Sequence, residues 1–393
     1  MKTRRVAFIF TFAVFGAIVL PFCDVPDFRE STDLKITLLW NKSYEGQTRK
    51  DVLRGLIWDL SWLGAELPKG SFERAIDFDP ADSTRFTIAL DSVGFNEDAK
   101  RALAVICDSI RKSDEYKRYN GIDVGKFVTL TLGSAWHYYE ITGAPKTLNE
   151  FRTRYRIDST SFVYGVTKSS ISEGHRRILF PRDTALFQYG FLAEEGSGSL
   201  DDGSFEPHVY ECFDIMPNGQ LRFMIYNENG SLISGTPQEV GDAGKPGKCL
   251  WCHEIVIQPL FVQNTAVRGM LTDDEFLGLR DSMQARLERY RLSLNTDMNW
   301  SYRPDHTLGE LLYITYLEPS LMHMVNECGL TEQEAKDILK HTELHRFREF
   351  DYIGDVYDRW RVDYAFIDSL PAMEHPVDVR ETTADIDYFN GRH

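Results

Sequence analysis

The residues best suited to chemistry in this chain lie in one short stretch, GKPGKCLWCHEIVIQPL, at residues 244–260. Cys249 and Cys252 are three positions apart, and His253 follows the second cysteine directly. On a helix, residues three and four positions apart are neighbours on one face. Thiols can form thioethers or disulfides, and both thiols and imidazoles can bind a metal ion. The spacing therefore predicts one chemical centre built from three side chains.

The order Cys-x-x-Cys-His is the attachment signature of c-type haem. Two thiols on one helical turn can reach the two vinyl groups of one porphyrin edge, and the imidazole that follows can bind the iron. A glycine-rich loop precedes the motif and the apolar run EIVIQPLF follows it, which favours a helix that begins at the motif. Trp251, between the cysteines, offers a flat apolar surface.

In these residues the chain resembles the c-type cytochromes. The resemblance covers the motif and its immediate flanks, and it implies one covalent haem c. By this resemblance Cys249 and Cys252 are the thioether sites, and His253 is the proximal iron ligand. The chain is much longer than the small electron-transfer cytochromes. The β-rich segment before the motif is similar, in element order alone, to that of the less common β-sheet cytochromes.

The second axial ligand of such an iron is a methionine, a histidine or an open position. Candidates by position along the chain are Met270, Met283, Met298, Met322, His323 and Met324, and the predicted distal ligand is Met298, Met322 or His323. For each of them, a place in the hydrophobic core is the alternative interpretation. With none of them bound, the iron is five-coordinate, and small-ligand binding or peroxide chemistry becomes available.

Three other chemistries stay open for the same cysteines: a local disulfide, a redox dithiol and half of a zinc site. A thioredoxin-like dithiol normally follows a buried strand, whereas GDAGKPGK precedes this motif, so that interpretation is disfavoured. A zinc ion would need further ligands. His208 and Cys212 are the nearest suitable pair, because residues four apart on a strand share a face.

The N-terminal residues 1–23 have the pattern of an export signal. A basic start, MKTRR, precedes the apolar run VAFIFTFAVFGAIVL, which is too short for a comfortable spanning helix. Cys23 then resembles the acylated cysteine of bacterial lipoproteins, although Phe22 is bulkier than the small residue of that pattern. A cleaved signal and an uncleaved anchor are the alternatives. We therefore expect an exported, periplasmic protein that meets the membrane only through its N-terminus. Haem is attached to thiols outside the cytoplasm, so this location favours a haem site.

Composition and charge narrow the possible partners. Of 393 residues, 42% are hydrophobic and 13% aromatic, which excludes a disordered chain. The formal net charge of -16 disfavours nucleic acid, because a phosphate backbone requires a basic face. The basic cluster HRRILFPRD is expected to pair with neighbouring carboxylates; binding of haem propionates is the alternative.

The elements that must position the motif predict an α+β fold, with an antiparallel β meander flanked by N- and C-terminal helical segments. The predicted segments are a mainly helical part at 24–158, a β part at 159–240, and the motif loop with a helical part at 241–393. These three are expected to pack as one unit. Hairpin signals occur at Asn218-Gly219 and Asn229-Gly230.

Two further histidine patterns occur in the chain. His341 and His345 are four positions apart in a segment with helical periodicity, and a solvated helix face is expected there. His137, among aromatic residues, is expected to be a satisfied core histidine.

The sequence thus predicts an exported c-type haem protein for electron transfer or small-ligand binding, with redox proteins or small molecules as partners. The alternatives are an exported non-haem binding or structural lipoprotein with a Cys249–Cys252 disulfide, and a periplasmic dithiol oxidoreductase. The sequence has no P-loop, no dinucleotide fingerprint and no nucleophile-elbow serine, so an electron carrier is expected rather than a hydrolase or transferase.

Overall fold

The computed structural model describes residues 34–169, 175–182, 185–237, 244–257, 261–263, 267–302, 304–365 and 386–392. The predicted export segment 1–23, with Cys23, lies outside the described residues. The α-helices are α1 (Arg49–Trp62), α2 (Ser71–Ala75), α3 (Glu97–Lys112), α4 (Asp114–Tyr119), α5 (Val124–Val128), α6 (Ala135–Thr142), α7 (Leu148–Tyr155), α8 (Pro246–His253), α9 (Asp273–Ser293), α10 (Asp305–Leu317), α11 (Leu321–Cys328), α12 (Glu332–Leu339) and α13 (Arg359–Ala365). The strands are β1 (Lys35–Leu39), β2 (Ile76–Phe78), β3 (Arg85–Ala89), β4 (Ile122–Asp123), β5 (Phe162–Val166), β6 (Lys168–Ser169), β7 (Arg176–Phe180), β8 (Gly190–Ser197), β9 (Glu206–Ile215), β10 (Leu221–Asn227), β11 (Phe261–Gln263), β12 (Leu344–His345) and β13 (Val356–Tyr357).

The predicted α+β fold is confirmed by a five-stranded antiparallel sheet in the order β10-β9-β8-β7-β5. Both asparagine–glycine pairs form tight turns, as expected. Gly219 has φ +85° in the β9–β10 hairpin, and Gly230 has φ +76° in the turn after β10. Glycine is favoured at both positions because L-residues rarely adopt such backbone angles.

The N-terminal part contains more strand than the sequence suggested. A second sheet has the order β2-β3-β1-β4, with β1 and β4 parallel and the other pairs antiparallel. Its strands have two to five residues each, which is too short for a clear alternation of polar and apolar residues. One hydrophobic cluster nevertheless joins buried residues of all three predicted segments, including Trp62, Tyr226 and Tyr313.

A row of phenylalanine rings crosses one face of the five-stranded sheet. We call it the phenylalanine row: Phe162, Phe180, Phe191, Phe213 and Phe223, one from each strand. Neighbouring ring centroids are 5.5, 5.3, 4.5 and 5.5 Å apart. Contacts at these distances stabilise aromatic pairs beyond simple burial, so the row stiffens this face of the sheet.

Close helix packing fixes α10 against α1. A Cβ atom at Gly55 would lie 2.7 Å from the carbonyl oxygen of Leu308, and one at Gly309 would lie 2.6 Å from Oδ1 of Asp59. Real Cβ atoms do not approach other atoms so closely, so both positions require glycine. The two helices therefore cross with their backbones nearly in contact.

The Asp59 carboxyl group is enclosed at this helix crossing. The residue is 1% exposed, and neither carboxyl oxygen has a hydrogen-bond partner among the described residues. Burial raises the pKa of Asp59 well above its usual value. The carboxyl group is therefore protonated in the folded protein under conditions in which it would be ionised in the unfolded chain.

We expect Asp59→Asn to reduce the pH dependence of stability. The raised pKa means that the folded protein retains a proton which the unfolded chain releases. Stability therefore falls as pH rises above about 4, by up to about 1.4 kcal/mol per pH unit, until the folded-state pKa is reached. Asparagine has no such proton. Urea unfolding at pH 5 and pH 8 should show a smaller loss of unfolding free energy in the variant; equal losses would contradict this account.

His137 is a satisfied core histidine, as expected. Its Nδ1 lies 2.5 Å from the carbonyl oxygen of Leu130, within a π-helical turn at Thr129–Gly133. Its Nε2 accepts the backbone N–H of Tyr388 at 2.9 Å. Both ring nitrogens are thereby engaged, and the imidazole joins the C-terminal residues 386–392 to α6.

Candidate functional site

The Cys-x-x-Cys-His motif lies on helix α8, as its spacing predicted. Pro246 occupies the first helical turn, where its missing N–H costs nothing and its fixed φ suits a helix. The helix ends at His253, and the next residue, Glu254, has φ +53° and ψ -108°. The three motif side chains therefore come from one helix of eight residues.

One side of α8 is anchored in the core by Leu250 and Trp251, both buried. The Trp251 ring packs on Tyr313 of α10, with centroids 4.7 Å apart. Buried Lys245 holds the same tyrosine, because its Nζ contacts the hydroxyl group and lies 4.5 Å from the ring centroid. The anchored side of α8 is thus tied to α10.

The other side of α8 carries the three chemical side chains. Among the described residues neither motif cysteine is in a disulfide; Cys249 is half-buried and Cys252 is exposed. The His253 ring lies against the end of the phenylalanine row, with its centroid 5.1 Å from Phe223 and 5.9 Å from Phe213. The structure therefore places the three predicted site residues on one helix, with His253 beside an aromatic surface.

The His253 imidazole has an unsatisfied polar atom. Its Nδ1 is buried and has no hydrogen-bond partner among the described residues. Burial lowers the pKa of His253 to about 4, and the positive charge of Arg176 acts in the same direction. The ring is therefore neutral at physiological pH, which is the form that binds metals.

The pKa of the Cys249 thiol is shifted in the opposite direction to that of a redox-active thiol. Burial raises the pKa of Cys249 well above its usual value, and the negative charge of Glu211 adds to this effect. Catalytic dithiols instead use a cysteine whose pKa is lowered, commonly at the beginning of a helix. Cys249 is the fourth residue of α8, so neither its electrostatics nor its position favours the dithiol interpretation.

A buried group of charges lies on the same face of the sheet as the phenylalanine row. Arg176 forms an ion pair with Glu195 on the adjacent strand and lies 3.8 Å from Glu211. Thr236 donates a hydrogen bond of 2.9 Å to Glu211. The basic cluster in β7 therefore pairs with carboxylates, as expected. Its closeness to the motif was not evident from sequence, because the three charges come from three different strands.

The proposed zinc partners do not join the motif. Cys212 alternates with Glu211 and Phe213 along β9, so its side chain points to the opposite face of the sheet from α8. His208 contacts the Ser197 hydroxyl group, with Nε2 and Oγ 2.9 Å apart. Among the described residues, no group of three or more histidine, cysteine or acidic side chains could hold a metal ion.

The candidate distal ligand His323 belongs to a separate buried network. The residue is 2% exposed, and its Nδ1 lies 2.8 Å from the Ser43 hydroxyl oxygen. Its Nε2 lies 3.6 Å from an oxygen of Asp123 and 3.5 Å from one of Glu327. Nδ1 is thus hydrogen-bonded, whereas Nε2 faces two carboxylates without a hydrogen bond among the described residues, and His323 is part of this network.

The two methionine candidates differ in exposure. Met298 is buried in the loop after α9, where its N–H donates to the Thr296 hydroxyl oxygen at 3.2 Å. Met322 is 36% exposed on α11, beside His323. Met298 is thus a core methionine, whereas Met322 lies at the surface.

The helix expected to carry both His341 and His345 ends at Leu339. His345 lies in β12 instead, and its Nε2 is 2.6 Å from an oxygen of buried Glu318. The prediction of one helix face that carries both histidines was therefore wrong, because strand pairing between β12 and β13 overrides the helical periodicity of this segment.

No protein-family model, no curated protein and no solved structure matches this chain. Across the described ranges, no helix combines the length and apolar character needed to cross a membrane.

We expect Gly133→Ala to weaken the anchorage of α8. A Cβ atom there would lie 2.5 Å from Cε2 of Tyr313, so the tyrosine ring must leave its present position against Trp251. Such overpacking typically costs about 1–3 kcal/mol. Urea unfolding should show this loss. Gly247→Ala is the matched control, because its Cβ would meet Trp251 at an ordinary 3.5 Å. Equal stability of the two variants would contradict the proposed anchorage.

Proposed function

We propose that this protein carries one haem c, bound covalently through Cys249 and Cys252, with His253 as the proximal iron ligand. Its function is electron transfer or small-ligand binding outside the cytoplasm. The observation that carries this proposal is the buried Nδ1 of His253, which has no hydrogen-bond partner among the described residues and lies on the helix that also holds the Cys249 and Cys252 thiols.

An unsatisfied polar atom in a protein interior is costly, typically about 1–3 kcal/mol. Binding at the imidazole would remove or offset that cost, since a metal-bound ring is held by its ligand bond and by a partner at the other nitrogen. The lowered pKa of His253 keeps the ring neutral, so no proton competes with a metal at physiological pH. These properties together suit an iron ligand better than a core histidine.

The surroundings of the motif also suit a flat, largely apolar group. Phe213 and Phe223 present aromatic rings beside His253. The anchored side of α8 holds Trp251 against Tyr313, so the helix can present its three chemical side chains in a fixed orientation. Haem, when bound, supplies one-electron chemistry and an exchangeable position at its iron.

The roles of the residues follow from their positions. Cys249 and Cys252 would fasten the group to α8 at two points, and His253 would hold the iron. The export pattern at residues 1–23 supports this chemistry, because an exported chain would carry its thiols out of the cytoplasm. Redox proteins or small molecules would be the partners, and the membrane would be met only through the N-terminus.

Expression of the full chain together with cytochrome maturation machinery tests the proposal. We expect a coloured protein with a sharp Soret band, and haem that stays with the chain after acid–acetone extraction. The double variant Cys249→Ala, Cys252→Ala should lose all covalent haem, because no thioether can form. Cys328→Ala, at an exposed cysteine outside the motif, is the matched control and should keep it.

A colourless wild-type protein under these conditions would contradict the proposal, as would haem that acid–acetone removes completely. Thiol counting before and after reduction would then identify a Cys249–Cys252 disulfide, the feature of the non-haem alternative.

A further inference from the structure

The chain turns sharply directly after the motif. The His253 carbonyl oxygen accepts the Val256 N–H at 2.9 Å, which closes a four-residue turn. Glu254 has φ +53° and ψ -108°, the angles of the first central position in a type II′ turn. Glycine dominates that position because a side chain there is strained. A glutamate in this place therefore requires compensating contacts from its surroundings.

The Glu254 side chain supplies such a contact. Its Oε1 lies 3.3 Å from Nε2 of His306, in the first turn of α10. The His306 ring is itself held, because its Nδ1 lies 3.0 Å from the Thr307 hydroxyl oxygen and its ring packs edge-on against Trp58 at 6.3 Å. The carboxylate therefore reaches a partner whose orientation is fixed by other side chains.

Helix α9 holds the other side of the same turn. Arg291 donates from Nη1 to the Ile255 carbonyl oxygen at 2.5 Å, and Gln284 accepts the Ile257 N–H at 2.9 Å. These bonds fix the chain beyond the turn. Glu254 is bonded directly to His253 along the chain. Of these contacts, the one between Glu254 and His306 therefore acts on the residue nearest to the imidazole.

We propose that Glu254 is a positioning residue, which with His306 orients the His253 imidazole toward the iron. This inference rests on the proposed haem function. The strained backbone and the carboxylate have separate effects: glycine relieves the strain, whereas the carboxylate fixes the turn. If Glu254 served stability alone, Glu254→Gly would increase the stability of the fold. Loss of the Glu254 side chain would then leave the iron–imidazole bond unchanged.

Three variants of the haem-loaded full chain test this inference: Glu254→Gly, Glu254→Gln and His306→Gln. The readouts are the iron–histidine stretching frequency of the reduced protein and the g values of the oxidised protein. We expect Glu254→Gly to unfold at a urea concentration no lower than wild type, and yet to shift both signatures. Glu254→Gln keeps the length of the side chain and an oxygen acceptor, so both signatures should be closer to wild type than in Glu254→Gly.

His345→Gln is the matched control, because it breaks a histidine–glutamate contact of 2.6 Å to Glu318 outside the motif turn. It should leave both iron signatures unchanged, whereas His306→Gln should shift them. Wild-type signatures in Glu254→Gly and His306→Gln would overturn the positioning role while leaving the haem proposal intact. Absence of haem from the wild-type chain would instead overturn the proposed function on which the inference rests.

Discussion

Close packing of α10 against its neighbours is the constraint on which the motif helix depends. Glycines at positions 55 and 309 allow α1 and α10 to cross with almost no side chain between them. Helix α10 then directs Tyr313 toward Trp251, in the middle of the motif, and His306 toward Glu254, directly after it. The orientation of the two thiols and the imidazole therefore follows from a helix crossing outside the motif itself.

The motif helix separates a structural side from a chemical side. Its buried apolar residues hold it to α10, and on its other side His253 packs against the phenylalanine row. The cost of this arrangement is the Nδ1 of His253, a polar atom with no hydrogen-bond partner in the part of the chain that the structure describes, and a glutamate in a backbone conformation that favours glycine. Natural proteins tolerate such costs mainly at functional sites, where the strained or unsatisfied group takes part in binding or catalysis.

Local features were predictable from sequence, and features built across strands and helices were not. The motif spacing and the asparagine–glycine turns depend on residues within a few positions, and each forms as expected. The charge group of Arg176 unites strands distant in sequence, so no local pattern could reveal it. The helix expected through His345 ended early because pairing of β12 with β13 outweighed its periodicity. The network around His323 likewise depends on partners far along the chain.

The central claim is that one haem is bonded to both cysteines of α8, and mass spectrometry of the matured chain tests it most directly. The intact protein should carry the added mass of a single haem, and after proteolysis this mass should remain on the peptide that contains Cys249 and Cys252. A chain matured under the same conditions with both thiols unmodified, or joined only to each other, would contradict the account.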